Sequence, residues 1–361
     1  MIDIFLTILC FSGFVYASSR WLKIDPSYAS LFSISFIGVL LFLFALFNCL
    51  QTGTSFLILS GFVLCIFWGA AWLQKKNHKR LIPLFRVLIF FLILITISFI
   101  LTVKMTFTIV DDYVYWGIIG KYLYIYNHLP VAGCPLDSRT LAYTPGTSLI
   151  HYFFYLMTGK YSVQVSYFAQ NIILISALLV FVKENYKKTI AYIGILVILM
   201  TVLSGSIFTK LQVDYLLSII SFSIFWIYLS EKNIHLKLLT ISMPICFLFL
   251  IKEIGLVLGL FILILVLFDI FADRGIDKRS KLKAMGILFL TGAVLLLLKA
   301  LWVKHVSAMG FMEFHNAINW ESIKKAFDIF SDKGARKGFF IFIKAFIIGS
   351  ADRLNTPYLL W

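Results

Sequence analysis

Runs of about 18 or more residues with hardly a charge recur along this chain, and they constrain its fold more than any other feature. Such a run covers ~30 Å of hydrocarbon when helical. Inside hydrocarbon each backbone N–H and C=O must find its partner within the segment, so the helix is the fitting conformation for an isolated run. The runs place spanning helices near 2–18, 29–48, 55–73, 83–103, 161–182, 189–208, 213–230, 237–251, 254–272 and 284–303. Hydrophobic residues make up 61% of the 361 residues and charged residues 14%, against roughly half and a quarter in a soluble domain. The fold class is therefore all-α, a polytopic transmembrane bundle of about 10–12 spanning helices. Residues 1–17 lack a basic leader and a cleavage site and read as the first spanning helix, not a removed signal.

Basic residues orient the bundle. Arg20 and Lys23 follow the first helix, "KKNHKR" at 75–80 and Arg86 enter the fourth, and Lys183, Lys187 and Lys188 share a later loop. A fourth cluster, "DRGIDKRSKLK", lies at 273–283. An even number of helices separates each cluster from the next, so all fall on one side, the cytoplasmic side. "CLQTGT" at 49–54 has no Lys or Arg and falls on the other side. The net charge of +15 is thus that of loops facing anionic membrane lipids and not of a nucleic-acid-binding domain. The five cysteines show neither metal-site spacing nor a disulfide framework.

Four regions result: N-terminal helices over 1–103, an outer loop over 104–160, a transmembrane core over 161–303, and a second outer loop with a C-terminal segment over 304–361. The apolar stretch 338–350 is short, and the chain stops at "PYLLW", which reads as the opening of another helix, in either a truncated chain or an unusual final segment.

The outer loop carries the chemistry. "VDDYVYWGIIGKYLYIYNHLP" at 110–130 sets Asp111 and Asp112 side by side directly after an apolar run. Trp116 and several tyrosines follow, with Lys121 as a polar point, so 112–127 reads as a helix at the membrane interface. One aspartate would serve as its N-cap. Two adjacent carboxylates repel, which raises the pKa of one and suits a general base or a cation site. "YTPG" at 143–146 is a turn, and the 11 apolar residues 147–157 read as a second interfacial or re-entrant helix.

These pieces resemble the glycosyltransferase-C superfamily, and most of all the bacterial relatives of protein mannosyltransferases and lipid A aminoarabinose transferases. The resemblance rests on "DDYVYWGIIGK", the following "LP", "YTPGTSLIHYFF", "LQVDYLL" at 211–217 and "LIKEIGLVLGL" at 250–260, in that order. It covers about residues 104–270. Many members carry the acidic pair after the first helix, where here about four helices precede it, and many are longer.

The resemblance implies transfer of a sugar from a polyprenyl-phosphate donor to an acceptor hydroxyl at the outer face, with inversion. The acceptor is a lipid, a glycan or a protein. By resemblance Asp111 or Asp112 is the base, with Asp111 favoured as the first of the pair. Lys210 and Asp214 then meet the phosphate or acceptor, and Lys252 paired with Glu253 meets the donor phosphate. Arg139 and Tyr143 are further substrate-side candidates, with Trp116 and Lys121 carried by the motif. His151, Lys304 and His305 are weaker candidates. No cofactor is implied, and a divalent metal is left open. The implied location is the plasma membrane of a bacterium.

Two other readings compete. An O-antigen-type polymerase or ligase would also use lipid-linked donors, but leans on Arg and His where this chain leads with an acidic pair. A transporter or flippase would place ionisable groups in mid-membrane and show repeated halves, whereas the charges here sit at helix ends.

Overall fold

The computed structural model describes residues 2–73, 78–107, 110–136, 138–182, 191, 194–195, 198 and 207–310. The chain divides into two compact units, Met1–Gly194 with Phe208–Met312 and Ile195–Ile207 with Glu313–Trp361. Every element named below belongs to the first.

That unit is helical, with no strand among the described residues. Its helices are α1 (Ile2–Trp21), α2 (Pro26–Leu46), α3 (Leu50–Leu73), α4 (His78–Thr102), α5 (Ile118–Tyr126), the single turn α6 (Ser138–Leu141) and α7 (Gly146–Thr158). Then come α8 (Val163–Leu178), α9 (Asp214–Ser230), α10 (Ile234–Ile251), α11 (Ile254–Ala272) and α12 (Lys278–Ala308). A π-helical turn, Asp112–Gly117, runs into α5.

Local chemistry sets the boundaries. Asp25 caps α2 by accepting from the Ser27 amide at 3.0 Å, with Pro26 in the first turn. Ser162 accepts from the Val165 amide to open α8, and Asn233 accepts from His235 and Leu236 to open α10. Asn127 and Gly159 end α5 and α7 in the left-handed region, at φ 59° and 66°.

Among the described residues seven helices are long and apolar enough to cross a membrane: α2, α3, α4, α8 with its 3-10 extension to Val182, α10, α11 and α12. Helix α9 has the same composition at 17 residues. The chain is thus a multi-pass helical membrane protein. Nine of the ten sequence-read spans coincide with α1–α4 and α8–α12. The span at 189–208 falls almost wholly outside the described residues, as do the loop after 310, the stretch 338–350 and the terminal "PYLLW".

The helices sort into two environments. In α8 every residue of the apolar window is buried, and in α2 72% of it is. Helices α3, α4, α11 and α12 instead expose large apolar side chains such as Phe56, Ile66, Ile93, Ile100, Phe261, Phe268 and Phe289. Rows of exposed apolar residues on membrane-length helices are the surfaces that acyl chains cover. Helices α1 and α3 approach at two glycines: a Cβ on Gly13 would strike the Gly61 carbonyl, and one on Gly61 would strike Cys10. Small residues at such crossings let backbones meet where no water drives association.

Of the two readings of 147–157, interfacial and re-entrant, the first is overturned. Helix α7 forms there, but every residue from Gly146 to Tyr155 is buried. It packs on α1, α2, α3, α5, α8 and α10 and does not lie on a surface. A helix too short to span is tolerated inside a bundle because protein, not lipid, surrounds its ends.

Candidate functional site

Helix α4 ends at Thr102, and the chain re-enters helix at 110–111. Asp111 has helical dihedrals and makes no side-chain cap bond, so the N-cap role read from the sequence is not realised. The two aspartates diverge instead. Asp111 is exposed, while Asp112 is completely buried. Successive residues of a helix point about 100° apart, so adjacent carboxylates need not share an environment.

Asp112 is held across the fold. The Leu211 backbone N–H donates to its Oδ1 at 2.7 Å. The Tyr167 hydroxyl lies 3.1 Å from its Oδ2 and 3.3 Å from the Thr106 carbonyl. The phenol has a single proton, and the carboxylate is both nearer and the stronger acceptor. Burial pushes the Asp112 carboxyl up to about 6, against the Leu211 and Tyr167 hydrogen bonds that favour its charged form. Asp111 raises it further and the Lys210 ammonium lowers it.

Helix α8 builds the floor. Its Tyr167, Gln170 and Asn171 stand at i, i+3 and i+4, on one face. Gln170 Nε2 donates to the Leu211 carbonyl at 3.1 Å and the Gln212 carbonyl at 3.4 Å. Asn171 Nδ2 donates to the Phe208 carbonyl at 2.9 Å and to Ser98 on α4 at 2.6 Å. The non-helical stretch 210–213 is thereby fixed with its Leu211 amide aimed at Asp112.

The buried His151 belongs to this network. Its Nε2 is 3.2 Å from Gln170 Oε1. Because the Gln170 amide nitrogen is already donating, its oxygen is the acceptor, and His151 carries its proton on Nε2. Burial lowers the His151 pKa, so the ring is neutral. His151 is thus a packing and hydrogen-bonding residue in the floor.

Asp111 is held more lightly. Gln212 Nε2 donates to its Oδ2 at 3.3 Å, and this is an exposed contact. Opposite stands Tyr143, whose ring packs edge-on against Tyr115 at 5.2 Å and Trp116 at 5.6 Å. Burial raises the Tyr143 phenol, and so do the neighbouring Tyr115, Asp111, Asp214 and Glu253. Carboxylates on three separate segments thus act electrostatically on one hydroxyl. Lys252 adds a cation, its Nζ 2.6 Å from Asp214 Oδ1. The Asp214 side chain is 72% exposed. Exposed pairs contribute only ~0.2–1 kcal/mol, so fold stability is a poor explanation for this one.

A backbone contact holds the halves together. A Cβ on Gly146 would collide with the Leu250 carbonyl at the end of α10. Only glycine lets the turn after Tyr143 sit against the strand of chain leading to Lys252 and Glu253. Gly146→Ala is expected to cost about 1–3 kcal/mol by overpacking, read as a lower Tm of the detergent-solubilised protein. An unchanged Tm would show that the two backbones separate without penalty.

The structure thus brings together Asp111, Asp112, Trp116, Tyr143, Lys210, Asp214, Lys252 and Glu253 at one end of the bundle. Lys121 lies elsewhere on the loop, with its Nζ 5.8 Å from the centre of the Tyr161 ring. The Arg139 side chain lies outside the described residues, and its backbone is in α6. Lys304 is exposed, and His305 stacks on Trp302, whose indole N–H donates to the Ala142 carbonyl. Tyr167, Gln170, Asn171 and Gln212 were missed by the sequence reading, although "YFAQN" is a polar interruption in an apolar run. Among the described residues no three His, Cys, Asp or Glu side chains are placed to hold a metal ion.

Comparison with known proteins adds no relative: no family model, no curated protein and no solved structure matches this chain.

Proposed function

We propose that this chain is a membrane glycosyltransferase of the glycosyltransferase-C type. It moves a sugar from a polyprenyl phosphate to an acceptor hydroxyl, with inversion at the anomeric carbon. The observation that carries this reading is the division of labour within the acidic pair: one carboxylate exposed and lightly held, its neighbour buried and doubly bonded.

Asp111 is the base. It takes the acceptor's proton as the acceptor oxygen bonds to the anomeric carbon. The bond from that carbon to the phosphate oxygen breaks, and the electron pair leaves on polyprenyl phosphate. Lys252, held near the site by Asp214, supplies the positive charge that the leaving phosphate needs, with Lys210 as a second cation near Asp112. The half-buried Tyr143, backed by the buried Trp116, offers an aromatic wall to a sugar. The acceptor is a lipid, a glycan or a protein. The distribution of Lys and Arg supports a site on the outer face of the plasma membrane.

The test is release of free polyprenyl phosphate by the purified protein from a panel of polyprenyl-phosphate sugars, with donor binding measured on the same panel. Release from one donor supports the reading. Absence of both release and binding across the panel would overturn it. Lys252→Ala is expected to weaken donor binding about tenfold or more, the loss of one charge-assisted contact. Unchanged donor affinity would remove Lys252 from the site.

A further inference from the structure

The far end of the bundle carries a second cluster. Helix α4 carries Pro83 and Leu84 near its start at that end and finishes at Thr102, on the side of the acidic pair. Around its start lies a recess of about 690 Å³, bounded by the α1–α2 turn and the last turns of α3. Its walls are Trp21, Ile24, Phe67, Ala70, Ala71 and Leu84, and its polar lining includes Tyr16, Ser19, Arg20, Lys23 and Asp25.

The charges in this recess do not cancel. Asp25 is committed to its own helix: Oδ1 accepts from the Ser27 amide at 3.0 Å and the Ser27 hydroxyl at 2.6 Å. Among the described residues neither Arg20 nor Lys23 pairs with a carboxylate. Both are exposed, three residues apart on a turn whose Lys23 backbone sits at φ 59°. The left-handed Lys23 lies just past the end of α1, as Asn127 and Gly159 do at the ends of α5 and α7. The turn is anchored, since Ile24 is buried and its N–H donates to the Ser18 carbonyl.

We infer that this recess binds the headgroup of an anionic phospholipid. Arg20 and Lys23 would hold its phosphate, and its acyl chains would run along α3 and α4. Three features fit that ligand. A lining with two cations against the one carboxylate of Asp25, at a membrane-level recess, favours a negative headgroup. Arg presents a planar fork matched to phosphate, with Lys as a second point charge. The apolar wall continues into exposed Ile66 and Phe67 of α3 and Ile82 and Phe85 of α4, the surface an acyl chain needs. A soluble anion would use the cations and leave that wall empty. The site is separate from the acidic cluster and does not depend on the proposed transferase activity.

The experiment is native mass spectrometry of the full chain, delipidated and then offered phosphatidylglycerol, phosphatidylcholine or inorganic phosphate. One phosphatidylglycerol should be retained at least tenfold better than phosphatidylcholine. Arg20→Gln/Lys23→Gln should abolish that preference with the Tm unchanged in detergent alone. Lys278→Gln/Arg279→Gln, which removes the same charge from another basic turn, should preserve it. Equal retention of the two lipids would overturn the inference. So would loss of the preference in the Lys278/Arg279 variant to the same degree, or displacement of the lipid by millimolar phosphate, which would assign the cations to a free anion.

Discussion

Asp111→Asn should lower polyprenyl phosphate release by about 10²–10⁴-fold, the contribution of a positioned base, and leave the fold intact. The asparagine keeps the size and the contact with Gln212 but cannot take a proton. Because Asp111 is exposed, its replacement disturbs little packing, and the Tm should stay within about a degree of wild type. Donor affinity should be unchanged, since the base acts on the acceptor. Single-turnover release with saturating donor and acceptor reads the chemical step directly. A rate within twofold of wild type would move the base to another carboxylate near Tyr143, Asp214 or Glu253.

The second large effect belongs to Asp112 and concerns stability. Asp112→Ala leaves the buried Leu211 N–H without an acceptor, at a cost of about 1–3 kcal/mol. Asp112→Asn should do the reverse at neutral pH. The carboxyl is raised from 3.8 to about 6 in the folded protein, so folding favours its protonated form. The stability this group contributes is complete below about pH 4 and is lost as the pH rises through about 6. Asparagine mimics the protonated state at every pH: its oxygen still accepts from Leu211, and the Tyr167 hydroxyl can accept from its amide. Thermal unfolding from pH 4 to 8 should therefore show the variant and wild type converging at the acid end. The variant should be about 1–3 kcal/mol more stable above pH 6. A variant less stable than wild type at pH 7.5 would mean that the fold requires the charge.

The sequence displayed the scaffold more openly than the site. Each apolar run had to become a helix, and α11 begins and ends where the run 254–272 does. Charges at helix ends also picked out most of the cluster, because Asp214, Lys252 and Glu253 interrupt otherwise unbroken apolar text. The separate fates of Asp111 and Asp112 were illegible. They depend on a π-helical turn and on an amide donor 99 residues away. The choice between an interfacial and a re-entrant α7 was illegible for a related reason: an apolar side chain facing lipid and one facing protein look alike in a sequence. The α8 residues Gln170 and Asn171 were visible as polar interruptions, but their partners at 208–212 lie beyond any local pattern.

The Asp112–Leu211 hydrogen bond has a consequence for biogenesis. At roughly 5–20 residues per second, Asp112 leaves the ribosome about 5–20 s before the amide that will receive it, 99 residues later. Tyr167 follows after 55 residues, but until 211 is made the nascent bundle lacks the amide donor to this carboxyl. The arrival of 211 then acts as a latch that closes late, and no ribosome-bound intermediate ending before α9 can contain a finished site.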